Sequence, residues 1–183
     1  GLVSPEPLPK LCQDPALPPE LMESPALSLL SHPGDGTIRG RRIAILMAGG
    51  VNGDSARVLH ARLRAQGAVP RFVGARLGPV QSESGESIAI EATLETTPAV
   101  LYDAMVVPDG QDAAVALGNL GHAIEFIKHQ YRHCKPILAL GAGTDVIEFA
   151  GVPQRLANGQ EDPGLIRRQD GDPLEALPLF IEA

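Results

Sequence analysis

An α/β fold, with a parallel sheet wrapped by helices, is what the chain from Arg41 onward predicts, and three observations predict it. Apolar runs recur at Ile43-Ala44-Ile45-Leu46-Met47, Met105-Val106-Val107 and Ile137-Leu138-Ala139-Leu140, as expected of strands covered on both faces. Helical patterns fall between them, so the order is β-α-β with right-handed crossovers. Turns rich in glycine follow the runs, at Ala48 to Gly53, Pro108 to Gly110 and Gly141 to Gly143. These are the strand ends where such sheets collect functional groups.

Residues 1–40 are read as a proline-rich linker or arm and residues 41–183 as the folded domain. Eight of the seventeen prolines fall in the arm, at positions 5, 7, 9, 15, 18, 19, 25 and 33. Proline fixes φ and removes donors, so the arm is expected to be extended and poor in regular structure. Its leucines (8, 11, 17, 21, 27, 29 and 30) are too many for a purely solvated spacer, which suggests that the arm lies against another surface. His32-Pro33-Gly34-Asp35-Gly36 marks the boundary.

The first strand, Ile43–Met47, leads through its loop to a helix capped by Asp54 or Ser55, running to about Gln66 with Gly67 as its stop. Ala56, Leu59 and Leu63 give that helix one apolar stripe. Val69 to Ala75 is a second strand, and Pro79 to Ile90, with Gly85 near its middle, a hairpin or short excursion at a sheet edge. Met105–Val107 is a central strand ending at Pro108-Asp109-Gly110. Gly121 to His133 reads as a helix with Ile124, Ile127 and Tyr131 on one face. Pro136 suits the start of the next strand, whose end bends at Gly141-Ala142-Gly143 into a helix capped by Thr144 or Asp145 and running through Phe149. Gly151 to Asp172 is turn-rich, and Pro173 to Ala183 opens another helix. The start in a linker and the stop within an amphipathic run suggest a piece of a longer protein.

Composition narrows the function. At 183 residues, 44% of them apolar, the chain can bury one core. A formal charge of −7 and the lack of a lysine-arginine stripe argue against nucleic acid, as does the absence of tryptophan stacking platforms. No run of about 18 apolar residues suggests a membrane span. Cys12 and Cys134 make neither a disulfide framework nor a zinc pattern, so a cytoplasmic setting is the expectation.

Strand-bend-helix units hold exposed nucleophiles in many hydrolytic folds. Here the bend carries Gly141 and Ala142, without a nucleophilic side chain. The glycine-rich loop at 49–53 matches neither the dinucleotide fingerprint nor the P-loop, because Val51 stands where a glycine is required and no Gly-Lys-Ser/Thr follows. Anion binding at the helix start near Ser55 stays open. His129 and His133, spaced i, i+4 beside Cys134, could ligate a metal. Lys128, Arg132 and Lys135 surround them, and cations at a helix C-terminus are the simpler account. No Gly-x-Ser-x-Gly is present, and histidines 32, 60, 122, 129 and 133 follow no turn that would aim them at a serine. Asp109, Asp112 and Asp145 lie near strand ends, where α/β sites form.

The order from Arg41 onward resembles the ThiJ/PfpI group of the class I glutamine amidotransferase-like superfamily, whose members are flavodoxin-like three-layer sandwiches with a mostly parallel central sheet. Lys135-Pro136-Ile137-Leu138-Ala139-Leu140 matches that group's strand before its reactive bend. On this resemblance Gly141 stands at the family's cysteine, Ala142 at its histidine, and Ser55 at about its acid. All three functional positions are replaced, so no catalytic residue, bound cofactor or metal is expected. The combination of Glu23-Ser24-Pro25-Ala26-Leu27-Ser28, Gly40-Arg41-Arg42-Ile43-Ala44-Ile45-Leu46 and Leu101-Tyr102-Asp103-Ala104-Met105-Val106-Val107-Pro108-Asp109-Gly110 is similar to the C-terminal domain of large-subunit haem catalases.

That resemblance implies a non-catalytic module of a haem enzyme that disproportionates hydrogen peroxide. Its expected partners are the parent's catalase core, sister subunits of a homotetramer and, in a chaperone-like role, unfolded clients. Haem is implied for the parent alone, because neither Tyr102 nor Tyr131 lies in the Arg-x-x-x-Tyr setting of the family's ligand. The alternatives are a residual hydrolase or glyoxalase-type enzyme, using a pocket near Ser55, Gly110, Gly141 and Asp145, and a ligand-binding module.

Overall fold

The structure, a computed structural model, describes residues 24–28, 31, 34–169 and 172–183. Residues 1–37 and 38–183 separate into two compact units. In the first, the described residues include a short 3-10 turn, Pro25–Leu27. Asp35 Oδ1 there accepts from the N–H and hydroxyl of Thr37 at 3.0 and 2.7 Å. Cys12, His32, Pro33, the arm's prolines up to position 19 and its leucines other than Leu27 lie outside the described residues.

The second unit runs β1 (Arg42–Leu46), α1 (Gly53–Ala65), β2 (Val69–Gly74), β3 (Gly78–Gln81), β4 (Ser87–Ile90), β5 (Ala92–Thr93), β6 (Ala104–Val107), α2 (Gln111–Gly118), α3 (Gly121–Arg132), β7 (Ile137–Leu140), α4 (Gly143–Phe149), β8 (Leu165–Arg168) and α5 (Pro173–Glu182). Six strands form one parallel sheet in the order β5-β2-β1-β6-β7-β8. Apart from the two-residue edge β5, this is the flavodoxin-like 2-1-3-4-5 order, which reverses direction between β1 and β6.

Strand alternation explains the three layers. Ile43, Ile45, Val106, Leu138 and Leu140 pack with α1 and α5 on one face. Ala44, Leu46, Met105, Val107, Ile137 and Ala139 pack with α2, α3 and α4 on the other. Both sets are buried, so the runs show no polar alternation. Full burial of each large aliphatic contributes about 1.5–3 kcal/mol.

Several expectations need correction. Asn52, not Asp54 or Ser55, caps α1, its side chain accepting the Ser55 N–H at 2.9 Å. Neither Thr144 nor Asp145 caps α4; Ala142 stands at its N-cap without a side-chain bond, and Thr144 instead donates its hydroxyl to the Gly141 carbonyl at 2.7 Å. The turn-rich stretch contains β8, which extends the sheet past β7. α2 was not anticipated, because its buried face of Ala113, Ala114 and Leu117 is short. On α3 the buried face is Ala123, Phe126, Ile127 and Gln130, with Ile124 and Tyr131 on its flank. The hairpin of β3 and β4 pairs antiparallel, apart from the main sheet.

The lead into β7 is anchored by side chains. Lys135 Nζ donates to the carbonyls of Ala99 and Val100 at 3.2 and 3.4 Å and to that of Tyr102. Gln130, fully buried, donates to the Ala99 carbonyl at 2.7 Å. Between them, α3 ends in a Schellman arrangement. The N–H of Lys135 returns to the Gln130 carbonyl at 3.1 Å and that of Cys134 to Tyr131 at 3.0 Å.

The arrangement puts Cys134 at φ 52, in the left-handed region that glycine adopts without a Cβ clash. Cys134 is exposed and free, so its thiol contributes no packing there. Cys134→Gly is therefore expected to stabilise the domain by about 1 kcal/mol, read as a higher urea midpoint at unchanged slope.

Candidate functional site

The sheet reverses between β1 and β6, and parallel α/β sheets bind ligands outside the strand ends at that point. Three segments converge there: the loop between β1 and α1, residues 108–110 after β6, and the bend after β7. The bend keeps the geometry of a nucleophile elbow. Strand β7 stops at Leu140, Gly141 turns at φ 49, and α4 starts at Gly143. The Gly141 N–H bonds to the Arg168 carbonyl at 2.7 Å, and Gln169 Nε2 donates to the Thr144 hydroxyl at 3.0 Å.

What fills the elbow is Asp109. Its Oδ1 accepts the N–H of Gly110 at 2.7 Å and that of Ala142 at 2.8 Å. A Cβ built on Gly141 would lie 2.1 Å from both Cγ and Oδ1 of Asp109. The carboxylate thus occupies the space that any side chain at the bend would enter. It also takes the N–H of the residue after the bend, the donor that in hydrolases of this geometry stabilises an oxyanion. Hydrogen bonds to a charged acceptor are worth roughly 1.5–3 kcal/mol each, so the contact ties the ends of β6 and β7 together.

The rest of the crevice is closed by backbone. Gly110 has φ 133, and a Cβ there would lie 2.4 Å from the Gly50 carbonyl oxygen. The Asn52 N–H bonds to the Asp109 carbonyl at 2.8 Å. The hairpin adds a cover, with Gly50 N–H on the Gln81 carbonyl at 2.8 Å and Glu83 N–H on that of Val51 at 2.9 Å. Val51 and Ser82 are buried where they bridge.

Of the residues singled out from sequence, the fold joins Gly110, Gly141 and Ala142 around Asp109. Ser55 sits in the first turn of α1, 7% exposed, and its hydroxyl has no partner among the described residues. Its N–H is already satisfied by Asn52. Asp145 is exposed and lines, with Gln111, Val115 and Phe149, a groove of about 320 Å³ between α2 and α4, so the pocket expected from Ser55, Gly110, Gly141 and Asp145 is not assembled. Asp112 is exposed in the first turn of α2.

His129 in the last turn of α3 and His133 at its C-cap are exposed, with rings 6.4 Å apart and nearly parallel. Cys134 is exposed beside them, ahead of β7 and thus at the opposite end of that strand from the bend. Among the described residues no group of three or more His, Cys, Asp or Glu could hold a metal ion. His60 stacks on Phe72 at 4.7 Å, with Glu91 at 3.7 Å.

Gly141 and Asp109 exclude each other's alternatives, which makes their coupling measurable. Gly141→Cys is expected to destabilise the domain by about 3 kcal/mol, combining overpacking with loss of a charged hydrogen bond. Adding Asp109→Gly should recover part of that loss in urea unfolding, whereas strictly additive losses would contradict the contact.

Comparison with known proteins identifies the family and the fold. The family described as the C-terminal domain found in long catalases matches residues 39–175. Catalase HPII of Pseudomonas putida is 33% identical over 166 residues, covering 89% of this chain and 22% of that protein. Catalase HPII of Mycobacterium avium is 37% identical over 147 residues, covering 80% and 20%. The chain therefore spans about a fifth of the length of these relatives. Among solved structures, Drosophila melanogaster DJ-1beta superposes with a TM-score of 0.65 at 19% identity, over 77% of this chain and 87% of that one. A ThiJ/PfpI family protein from Pseudomonas syringae gives 0.59 at 22%, over 75% and 55%. These two likenesses concern the fold, which is the flavodoxin-like sandwich of that group. The chain belongs to the family of C-terminal domains found in long catalases.

Proposed function

We propose that this domain is non-catalytic and serves a longer catalase by stabilising its oligomer. The observation that carries the reading is the Asp109 carboxylate on the Ala142 N–H, inside an elbow whose backbone is otherwise intact. An elbow plugged by a carboxylate of its own chain offers neither a nucleophile nor a free oxyanion donor. The same contact counts against a residual hydrolase or glyoxalase-type activity and against a ligand site at the bend.

The parent in this reading disproportionates hydrogen peroxide at a haem, in the cytoplasm, as a homotetramer whose core and sister subunits are the partners of this domain. The two tyrosines here do not fit a haem ligand. Tyr102 is 4% exposed and packs against Phe126 at 5.7 Å in the core, its backbone carbonyl held by Lys135. Tyr131 packs on the flank of α3.

A chaperone-like role toward unfolded clients has one supporting feature. Phe149 and Val115 stand 69% and 57% exposed beside the groove between α2 and α4. An apolar surface of this kind can take up apolar segments.

Removing the domain from the full-length parent tests the main reading. Faster thermal inactivation and a smaller or more readily dissociated oligomer are expected; no change in either would overturn it. For the client role, the chain should suppress aggregation of a heat-denatured test protein at near-stoichiometric ratios. Phe149→Ser should weaken that suppression, and its absence in the unaltered chain would remove the role.

A further inference from the structure

Charge is distributed along this chain with a strong bias. Residues 38–77 contain eight arginines, no lysine and one acid, Asp54, a formal +7. Because the whole chain carries −7, the remaining residues hold −14. Net charge over the full length hides this segregation.

The fold concentrates it further. The turn from α1 into β2 packs beside the entry to β1, with Gly40 N–H on the Gly67 carbonyl and Val69 N–H on that of Arg41, each at 2.8 Å. A Cβ on Gly67 would lie 3.2 Å from Arg39 Cγ. Arg62 and Arg64 occupy the last turn of α1, and Arg42 lies in register with Val69. Arg64 and Arg71 line, with His60 and Glu91, a depression of about 250 Å³. Six guanidinium groups thus gather at the end of the sheet opposite the elbow.

Few carboxylates answer them. Asp103 pairs with Arg41 at 3.5 Å and Glu91 with Arg71 at 3.3 Å. Each of those acids also accepts a backbone N–H, from Arg42 at 2.7 Å and from Phe72 at 2.8 Å. Arg39, Arg42, Arg62 and Arg64 are exposed and form no ion pair among the described residues. The C-terminal dipole of α1 accounts for Arg62 and Arg64. It does not account for Arg39 or Arg42, which precede the helix. Like charges within a Debye length of about 10 Å repel one another, so this end of the domain favours a counter-charged partner.

We propose that this arginine-rich end is a docking surface for a carboxylate-rich polypeptide. Guanidinium forks match carboxylates in bidentate geometry, which ammonium groups do not. The rest of the domain, residues 78–183, carries a formal −10 and would repel a long polyphosphate extending beyond the patch, which favours an acidic protein surface over nucleic acid. The proposal does not depend on the oligomer-stabilising role, since it concerns binding by this chain alone.

The test is fluorescence anisotropy of labelled short poly-L-glutamate titrated with the full 183-residue chain at low and physiological salt. Saturable, salt-sensitive binding is expected. The triple variant Arg39→Glu, Arg62→Glu, Arg64→Glu should weaken it by about tenfold or more, while Arg132→Glu, Arg155→Glu, Arg168→Glu, with the same net charge, should change it little. Circular dichroism and the melting midpoint establish that both triple variants are folded; Arg39, Arg62, Arg64, Arg132 and Arg155 are exposed and Arg168 is half-buried. Absence of binding, equal weakening by both triples, or tighter binding of a DNA duplex of matched charge would each overturn the proposal.

Discussion

One carboxylate and one missing side chain fix the character of this domain. Asp109 and Gly141 come from neighbouring strands, and the space at the ends of those strands admits only one of two arrangements. Either a side chain projects from the bend, or the carboxylate turns inward onto the bend's N–H groups. With 2.1 Å between the Asp109 carboxyl and a Cβ at 141, both cannot hold. The turn keeps the geometry of a nucleophile elbow, and Asp109 ties its far side to the end of β6, accepting the N–H groups of Gly110 and Ala142.

The rest of the crevice follows that choice. The Asp109 carbonyl takes the Asn52 N–H, which holds the β1 loop across the crevice. Gly110 then fits under the Gly50 carbonyl, where no side chain would. The hairpin seals the loop by backbone bonds from Gly50 and to Val51. The ends of β1, β6 and β7 are thus joined by a continuous hydrogen-bonded seam. The exposed features lie elsewhere: the apolar groove between α2 and α4, and the arginines at the opposite end of the sheet.

Much of the fold was legible because burial on both faces writes itself as unbroken apolar runs. Ile43–Met47, Met105–Val107 and Ile137–Leu140 announced the central strands, and the hairpin was visible from Gly85 and its flanks. β8 was missed because Leu165-Ile166-Arg167-Arg168 is an edge strand with two arginines, a pattern that reads as a solvated turn. The α1 cap was misplaced by favouring Asp54 and Ser55 over Asn52, although asparagine is an equally good N-cap. At the site, the loss of a side chain at Gly141 was readable, but its replacement was not. Asp109 and Ala142 are far apart in sequence, and an aspartate after a strand reads equally as a turn former. No lysine-arginine stripe was read from the sequence because the arginines of residues 38–77 are spaced along two strands, a helix and their connections, and only the fold brings six of them to one end of the sheet.

The hydrogen bond from the Ala142 N–H to Asp109 is what closes the elbow, and amide hydrogen exchange reads that bond directly. The Ala142 N–H should exchange slowly in the native protein. It should lose protection selectively in Asp109→Ala, while the amides of Leu138 and Leu140 within β7 keep theirs. An Ala142 amide that exchanges freely in the native protein, or one whose protection survives removal of the carboxylate, would contradict it.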